Sequence, residues 1–77
     1  MRVLLFARAR DLIGAEMIQV DGVATVGALR QFLMRTYPGA AGLVEKSAVA
    51  VNDEFAGDSA TIPDDAEVAL LPPVSGG

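Results

Sequence analysis

Most of the side chains that usually carry chemistry in proteins are missing from this sequence. It contains no Cys and no His, which excludes thiol nucleophiles, disulfides, imidazole bases and the usual zinc sites. Carboxylates, hydroxyls, arginines, the single Lys46 and the chain ends remain. Neither Thr25 nor Ser47 has a base to activate it, so we do not expect a hydroxyl nucleophile.

A short acidic run is the next candidate for chemistry. Asp64, Asp65 and Glu67 could bind a metal, but they lack the ligand spacing of a calcium loop. A solvated turn is the simpler interpretation, and we predict no metal site. The glycines are scattered along the chain and form no phosphate-binding loop.

The last six residues, 72–77, read Pro-Pro-Val-Ser-Gly-Gly and carry the strongest local pattern. The two prolines favour an extended start, and six extended residues span about 20 Å. Gly76 and Gly77 have no side chains, so the tip can enter a tunnel that excludes other residues. We therefore predict a domain at residues 1–71 followed by an extended tail.

The carboxylate of Gly77 would need activation before it could react. Joined to AMP by an ATP-dependent enzyme, its carbonyl becomes a mixed anhydride that sulfur can attack, and glycine offers no side chain to hinder the attack. Two simpler interpretations stay open at this point. Chain ends are often poorly ordered, and Ser-Gly-Gly is common linker material.

The elements that would carry this tail follow from the hydrophobic pattern. Branched apolar runs and alternating polarity predict strands at residues 3–7, 16–20, 48–51 and 67–71. Thr25 can cap a helix of about three turns that ends before Pro38. We expect Phe55 to begin a short edge strand.

This order of elements predicts an α+β fold, with one main helix on one face of a mixed sheet of four to five strands. The first two strands would form a hairpin with a long connecting loop. The arrangement is that of a β-grasp fold, although spacing alone does not exclude half of a ferredoxin-like fold.

One helix can cover only one face of such a sheet, yet the predicted strands are apolar on both faces. Successive side chains alternate, so one apolar set is left without a cover. We predict a partner-binding patch that includes Phe6, Phe55 and Leu71. The alternative is that the loop at residues 40–47, or a terminus, folds over this face.

The net charge of the chain indicates which class of partner it can bind. Ten acidic residues against six basic ones give a net charge of −4, and no basic run is present, so we do not expect nucleic-acid binding. A basic partner surface is the more natural match.

Arg8, Arg10 and Asp11 interrupt the apolar start too early for a signal peptide. No stretch approaches the roughly 18 apolar residues of a membrane span. We expect a soluble, cytoplasmic protein.

Several blocks of the sequence resemble one known family. They are residues 4–7 (Leu-Leu-Phe-Ala), 10–14, 26–30, 50–52 and, most distinctively, 65–77, which reads Asp-Ala-Glu-Val-Ala-Leu-Leu-Pro-Pro-Val-Ser-Gly-Gly. In these blocks the chain is similar to the small subunits of molybdopterin synthase, which are ubiquitin-like sulfur carriers. The resemblance covers essentially the whole chain.

The resemblance implies a β-grasp fold and a C-terminal thiocarboxylate on Gly77. A separate adenylating enzyme, related to ubiquitin-activating enzymes, would use ATP to charge it, and the chain itself would bind no cofactor. The tail would insert into the large subunit, in a heterotetramer, and give its sulfur to cyclic pyranopterin monophosphate. Alone, the chain would be the non-catalytic, sulfur-carrying part of a sulfurtransferase complex.

The same resemblance assigns roles to particular residues. It places the chemistry at Gly77 and Gly76 and a possible partner salt bridge at Arg10. It implies partner contacts at Phe6, Phe55, Leu71, Pro72, Pro73, Val74 and Ser75. The chain departs from the family at two places. Leu70 and Leu71 stand where two Phe residues are common, which implies a flatter and less aromatic interface, and Ala66 stands where Gly is common.

Three other functions fit parts of the pattern. A sulfur carrier for thiazole synthesis shares the fold and the Gly-Gly end, but residues 70–77 and the helix region argue against it. A ubiquitin-like modifier would join Gly77 to a lysine as an isopeptide. A plain interaction domain would make no use of the tail.

Overall fold

The computed structural model describes residues 1–73 as a five-stranded mixed sheet with helices on one face. The strands are β1 Arg2–Leu5, β2 Met17–Gln19, β3 Ala48–Val51, β4 Glu54–Ala56 and β5 Glu67–Leu71. Their order across the sheet is β2-β1-β5-β3-β4. The central pair β1 and β5 is parallel, and the other pairs are antiparallel. This architecture confirms the predicted α+β fold.

Three α-helices connect the strands: α1 Ala7–Ile13, α2 Val26–Thr36 and α3 Ala41–Lys46, the last preceded by a 3₁₀ turn at Pro38–Ala40. The Thr25 hydroxyl caps α2 by accepting a hydrogen bond from the Ala28 amide at 3.1 Å, as the sequence predicts. None of the helices in the described part of the chain is long and apolar enough to cross a membrane.

The hydrophobic core lies between these helices and one face of the sheet. From α2 it receives Val26, Leu29 and Leu33, which recur at helical spacing and are fully buried. From the two central strands it receives Val3, Leu5, Val68 and Leu70. Since β5 lies between β1 and β3 and supplies two of these side chains, the strand that leads into the tail is anchored at the centre of the fold.

The connection between β1 and β2 differs from the predicted loop. The strand ends at Leu5, and Ala7, which the pattern places in the strand, opens α1 with a φ of 51°. This left-handed residue turns the chain out of the sheet. Helix α1 ends at Gly14 in the left-handed conformation, with φ 86°. It buries only Ala9, so its sequence shows no apolar stripe that would have predicted a helix.

The predicted loop at residues 40–47 is also largely helical. Val44 of α3 is fully buried in the core, which places α3 on the same side of the sheet as α2. The Ser47 hydroxyl donates a hydrogen bond to the Leu43 carbonyl at 2.7 Å. This segment therefore does not fold over the other face of the sheet, so that part of the alternative is wrong. The C-terminal residues 74–77 lie outside the described residues.

Arg30 ties α2 to α3 and to the chain after β4. Its Nη1 donates to the carbonyl oxygens of Val44 and Ser47, both at 2.7 Å, and its Nε donates to Asp58 Oδ1 at 3.1 Å. The Val44 carbonyl also accepts from the Ser47 amide at 3.2 Å, and Arg30 adds a charged donor to both carbonyls, which are partly shielded from water. Ser47 directly precedes β3, whose first residue Ala48 pairs with Leu71, the last residue of β5.

We expect Arg30→Met to lower the free energy of unfolding by about 2 kcal/mol, because shielded carbonyls lose a charged donor. The measurement is urea denaturation followed by circular dichroism. Arg35→Met is the matched control in the same helix, since Arg35 is exposed, and it should change stability by less than about 0.5 kcal/mol. Equal midpoints for the parent and Arg30→Met would contradict this role.

Candidate docking face and tail

The side chains that point away from the helices form one continuous surface. The strand register places Leu4 opposite both Met17 and Ala69, and Ala50 opposite both Ala69 and Phe55. These five apolar residues therefore form a single row across all five strands. We call this side of the sheet the open face; its apolar members are Leu4, Phe6, Met17, Ala48, Ala50, Phe55, Ala69 and Leu71.

The large side chains of the open face have no cover from the described residues. Phe55 is 77% exposed, Met17 46% and Phe6 44%. Leu4 and Leu71 are half-buried by their neighbours in the sheet. Scattered exposed apolar residues are ordinary, but a contiguous apolar patch on a small protein usually marks an interaction site. The open face is thus a candidate docking surface.

The three residues predicted for a partner patch do share this face. Leu71 pairs with Ala48 in the register that also aligns Ala50 with Phe55. Phe6 follows β1 in an extended conformation, with φ −121°, and continues the alternation of Leu4. Phe6 and Leu71 lie at the end of the sheet from which the tail leaves, and Phe55 lies on the edge strand β4.

Of the adjacent leucines that end β5, only one faces outward. Leu70 is 1% exposed and belongs to the core, whereas Leu71 lies on the open face. Met17 adds a further large apolar side chain that the sequence interpretation did not assign to the patch. Its alternation with Ile18 was visible in the sequence, but its neighbours in the sheet follow only from the register.

The tail begins at the edge of the open face. Strand β5 ends at Leu71, and Pro72 and Pro73 follow without regular structure, the first half-buried and the second exposed. The residues predicted for the tip, Val74, Ser75, Gly76 and Gly77, lie outside the described residues. A partner that covers the open face would meet the tail at the same place.

The other residues that the sequence offers for chemistry do not form a common site within residues 1–73. Glu67 pairs with Arg2 at 2.9 Å, and within residues 1–73 no group of three potential ligands is close enough to hold a metal ion. Thr25 and Ser47 are used in backbone hydrogen bonds. Arg10 is exposed in the last turn of α1, where it is accessible to a partner.

A comparison of the sequence with protein-family models gives a match over nearly its whole length. The model of the ThiS family matches residues 3–77, which include the complete Gly-Gly tail. The chain belongs to the ThiS family. This finding agrees with the resemblance to sulfur carriers that the sequence blocks indicate.

Curated relatives of this ThiS family member carry a more specific name. The molybdopterin synthase sulfur carrier subunit of Haemophilus influenzae is 36% identical over 80 residues, which are 100% of this chain and 99% of the relative. The protein of the same name from Arabidopsis thaliana is 34% identical over 79 residues, covering 99% of this chain and 81% of the relative.

Solved structures of similar fold include a modifier and a two-subunit complex of a molybdopterin-converting factor. A crystal structure of small archaeal modifier protein 1 of Haloferax volcanii has a TM-score of 0.76 and 29% identity, covering 95% of both chains. A complex of subunits 1 and 2 of the molybdopterin-converting factor from Helicobacter pylori contains a chain with a TM-score of 0.71 and 26% identity. That match covers 99% of this chain and 96% of the other.

Proposed function

We propose that this ThiS family member is the sulfur carrier of a molybdopterin synthase and works in molybdenum cofactor biosynthesis. The observation that carries the proposal is its whole-length similarity to curated sulfur carrier subunits of that enzyme. The family match through the Gly-Gly end supports the same role. The reaction takes place in the cytoplasm, where ATP supports the activation.

The carrier chemistry takes place at the carboxylate of Gly77. The carboxylate attacks the α-phosphate of ATP, pyrophosphate leaves, and an acyl adenylate forms. Sulfide then attacks the carbonyl carbon and AMP leaves, so a thiocarboxylate remains on Gly77. A separate adenylating enzyme binds the ATP, and this chain holds no cofactor of its own.

The open face supplies the docking surface for the large subunit of the synthase. Phe6, Phe55 and Leu71 contact that subunit, and Arg10 forms a salt bridge at the edge of the contact. The tail then enters the active site of the large subunit, with Pro72 and Pro73 at its start. The Helicobacter pylori complex of two converting-factor subunits supports such a partner, and we propose a heterotetramer with two carriers.

Inside the synthase the thiocarboxylate sulfur attacks a carbon of cyclic pyranopterin monophosphate and displaces the oxygen bound to that carbon, so a C–S bond forms as a C–O bond breaks. The displaced oxygen leaves as water or stays on the phosphate as the cyclic ester opens. Water later cleaves the acyl–sulfur bond, which returns the Gly77 carboxylate and leaves the sulfur on the pterin. Two such transfers build the dithiolene. The small residues Ser75, Gly76 and Gly77 suit a narrow passage, because they place little side-chain volume beside the reacting carbonyl.

A modifier function is the second candidate, because small archaeal modifier protein 1 of Haloferax volcanii shares the fold at 29% identity. A modifier would transfer its activated Gly77 carbonyl to an amine of another protein. The two functions differ in their products. A carrier returns to a free carboxylate, whereas a modifier ends as a stable amide.

The test is a single-turnover reaction of the thiocarboxylated protein with the large subunit and cyclic pyranopterin monophosphate. We expect a pterin product that contains two sulfur atoms, formed as the thiocarboxylate reverts to carboxylate. Mass spectrometry of the pterin and of the intact protein follows both events. Loss of the thiocarboxylate without a sulfur-containing pterin would contradict the proposal, and a heavier protein conjugate would favour the modifier.

A further inference from the structure

Two cationic residues flank the place where the tail leaves the sheet. The last residues of β5 are held between β1 and β3, because Leu5 pairs with Leu70 and Ala48 pairs with Leu71. On the β1 side the chain continues directly into α1, whose second residue is Arg8. On the β3 side it comes directly from α3, whose last residue is Lys46.

Both side chains are available for an outside partner. Arg8 and Lys46 are exposed, and within residues 1–73 neither takes part in an ion pair. By contrast, Arg2 pairs with Glu67, and Arg30 pairs with Asp58. Lys46 is also the sole lysine of the sequence.

The opposite end of the sheet is strongly acidic. The acidic side chains toward the starts of β1 and β5 and the tip of the β3–β4 hairpin are Asp21, Asp53, Glu54, Asp64, Asp65 and Glu67. Among the described residues Arg2 is the one basic side chain at this end. The excess negative charge of the protein therefore lies away from the tail. The tail end also carries Glu16 and Glu45, but among the described residues neither forms an ion pair with Arg8 or Lys46.

We propose that Arg8 and Lys46 bind carboxylates of the partner protein at the rim of the cleft that receives the tail. This inference rests on the proposed function, and the partner is the adenylating enzyme. The acidic far end would be repelled by the same carboxylates, so the charge distribution turns the tail toward the cleft during encounter.

Distance favours protein carboxylates over a phosphate of the nucleotide or substrate. Four residues of fully extended chain can span up to about 13 Å, which is farther than an arginine or lysine side chain reaches. With Gly77 extended into a reaction centre, Arg8 and Lys46 remain at the entrance. Exposed charge pairs at an interface rim chiefly affect the association rate and its salt dependence.

The test is the ATP-dependent charging of Gly77 by the adenylating enzyme, measured as AMP release at several carrier concentrations. We expect Lys46→Glu and Arg8→Glu each to raise KM several-fold at about 0.05 M salt, with kcat unchanged and the effect shrinking at about 0.5 M. The milder Lys46→Gln should raise KM less. Circular dichroism establishes that each variant is folded.

Arg35→Glu is the matched control, because it makes the same charge change at an exposed residue in the last turn of α2. It should leave KM within about two-fold of the parent, as expected for a surface charge outside the contact. If Lys46→Glu and Arg8→Glu behave as Arg35→Glu does, the rim contact is wrong while the carrier function stands. If the parent itself is not charged by a competent enzyme, the proposed function fails and this inference fails with it.

Discussion

Removal of Gly76 and Gly77 is expected to reduce sulfur loading to below detection. The truncated chain would end at Ser75, so its carboxylate would lie two residues short of the adenylating site and would carry a side chain beside the attacked carbon. Folding should be unaffected, because the buried core ends at Leu70. We therefore expect the free energy of unfolding to change by less than about 0.5 kcal/mol.

The experiment compares the parent and the truncated protein in the same charging reaction, with the mass of the C-terminal peptide as the readout. Ser75→Gly is the control, since it alters the tail but keeps its length and its terminal carboxylate, and it should load at a rate close to that of the parent. Loading of the truncated protein at the parental rate would show that the Gly-Gly tip is not the reactive element.

Phe55→Asp and Leu71→Asp are each expected to weaken binding to the large synthase subunit about 30-fold or more. The physical reason is the burial of an unpaired carboxylate in an apolar contact, which costs about 2 kcal/mol or more. Phe55 is 77% exposed, so its replacement should leave the fold intact. Titration calorimetry with the large subunit measures the change.

Leu12→Asp is the matched control for this pair. Leu12 is 44% exposed but lies on α1 and not on a strand, so it tests a similar loss of exposed apolar surface outside the open face. We expect its affinity to stay within about two-fold of the parent, as for a residue outside the contact. Comparable affinities for Leu12→Asp and Phe55→Asp would sink the assignment of the open face as the docking surface.

The elements that the sequence predicts well are those with a strong local signal. The branched runs at β3 and β5 and the cap and stop signals of α2 fall at the observed ends. The two short helices α1 and α3 were missed because each offers the core one buried side chain, Ala9 and Val44 respectively. A helix that buries so few side chains has little hydrophobic periodicity in its sequence, so the pattern does not predict it.

The sequence also predicts only part of the candidate docking face and tail. Alternation along a strand predicts that one face is uncovered, but the row from Met17 to Phe55 depends on the pairing of five strands. The position of Lys46 beside the tail also depends on tertiary pairing, because Ala48 and Leu71 are far apart in the sequence. The chemistry proposed for Gly77, by contrast, rests on the sequence and the family alone.

The central claim is that the carboxylate of Gly77 carries sulfur, and mass spectrometry of the C-terminal peptide tests it most directly. The protein is incubated with ATP, its adenylating enzyme and sulfide, at a resolution that separates sulfur-for-oxygen exchange from oxidation of Met1, Met17 or Met34. We predict the exchange, localised to Gly77. An unmodified Gly77, with the same enzyme shown to charge another carrier, would contradict the claim.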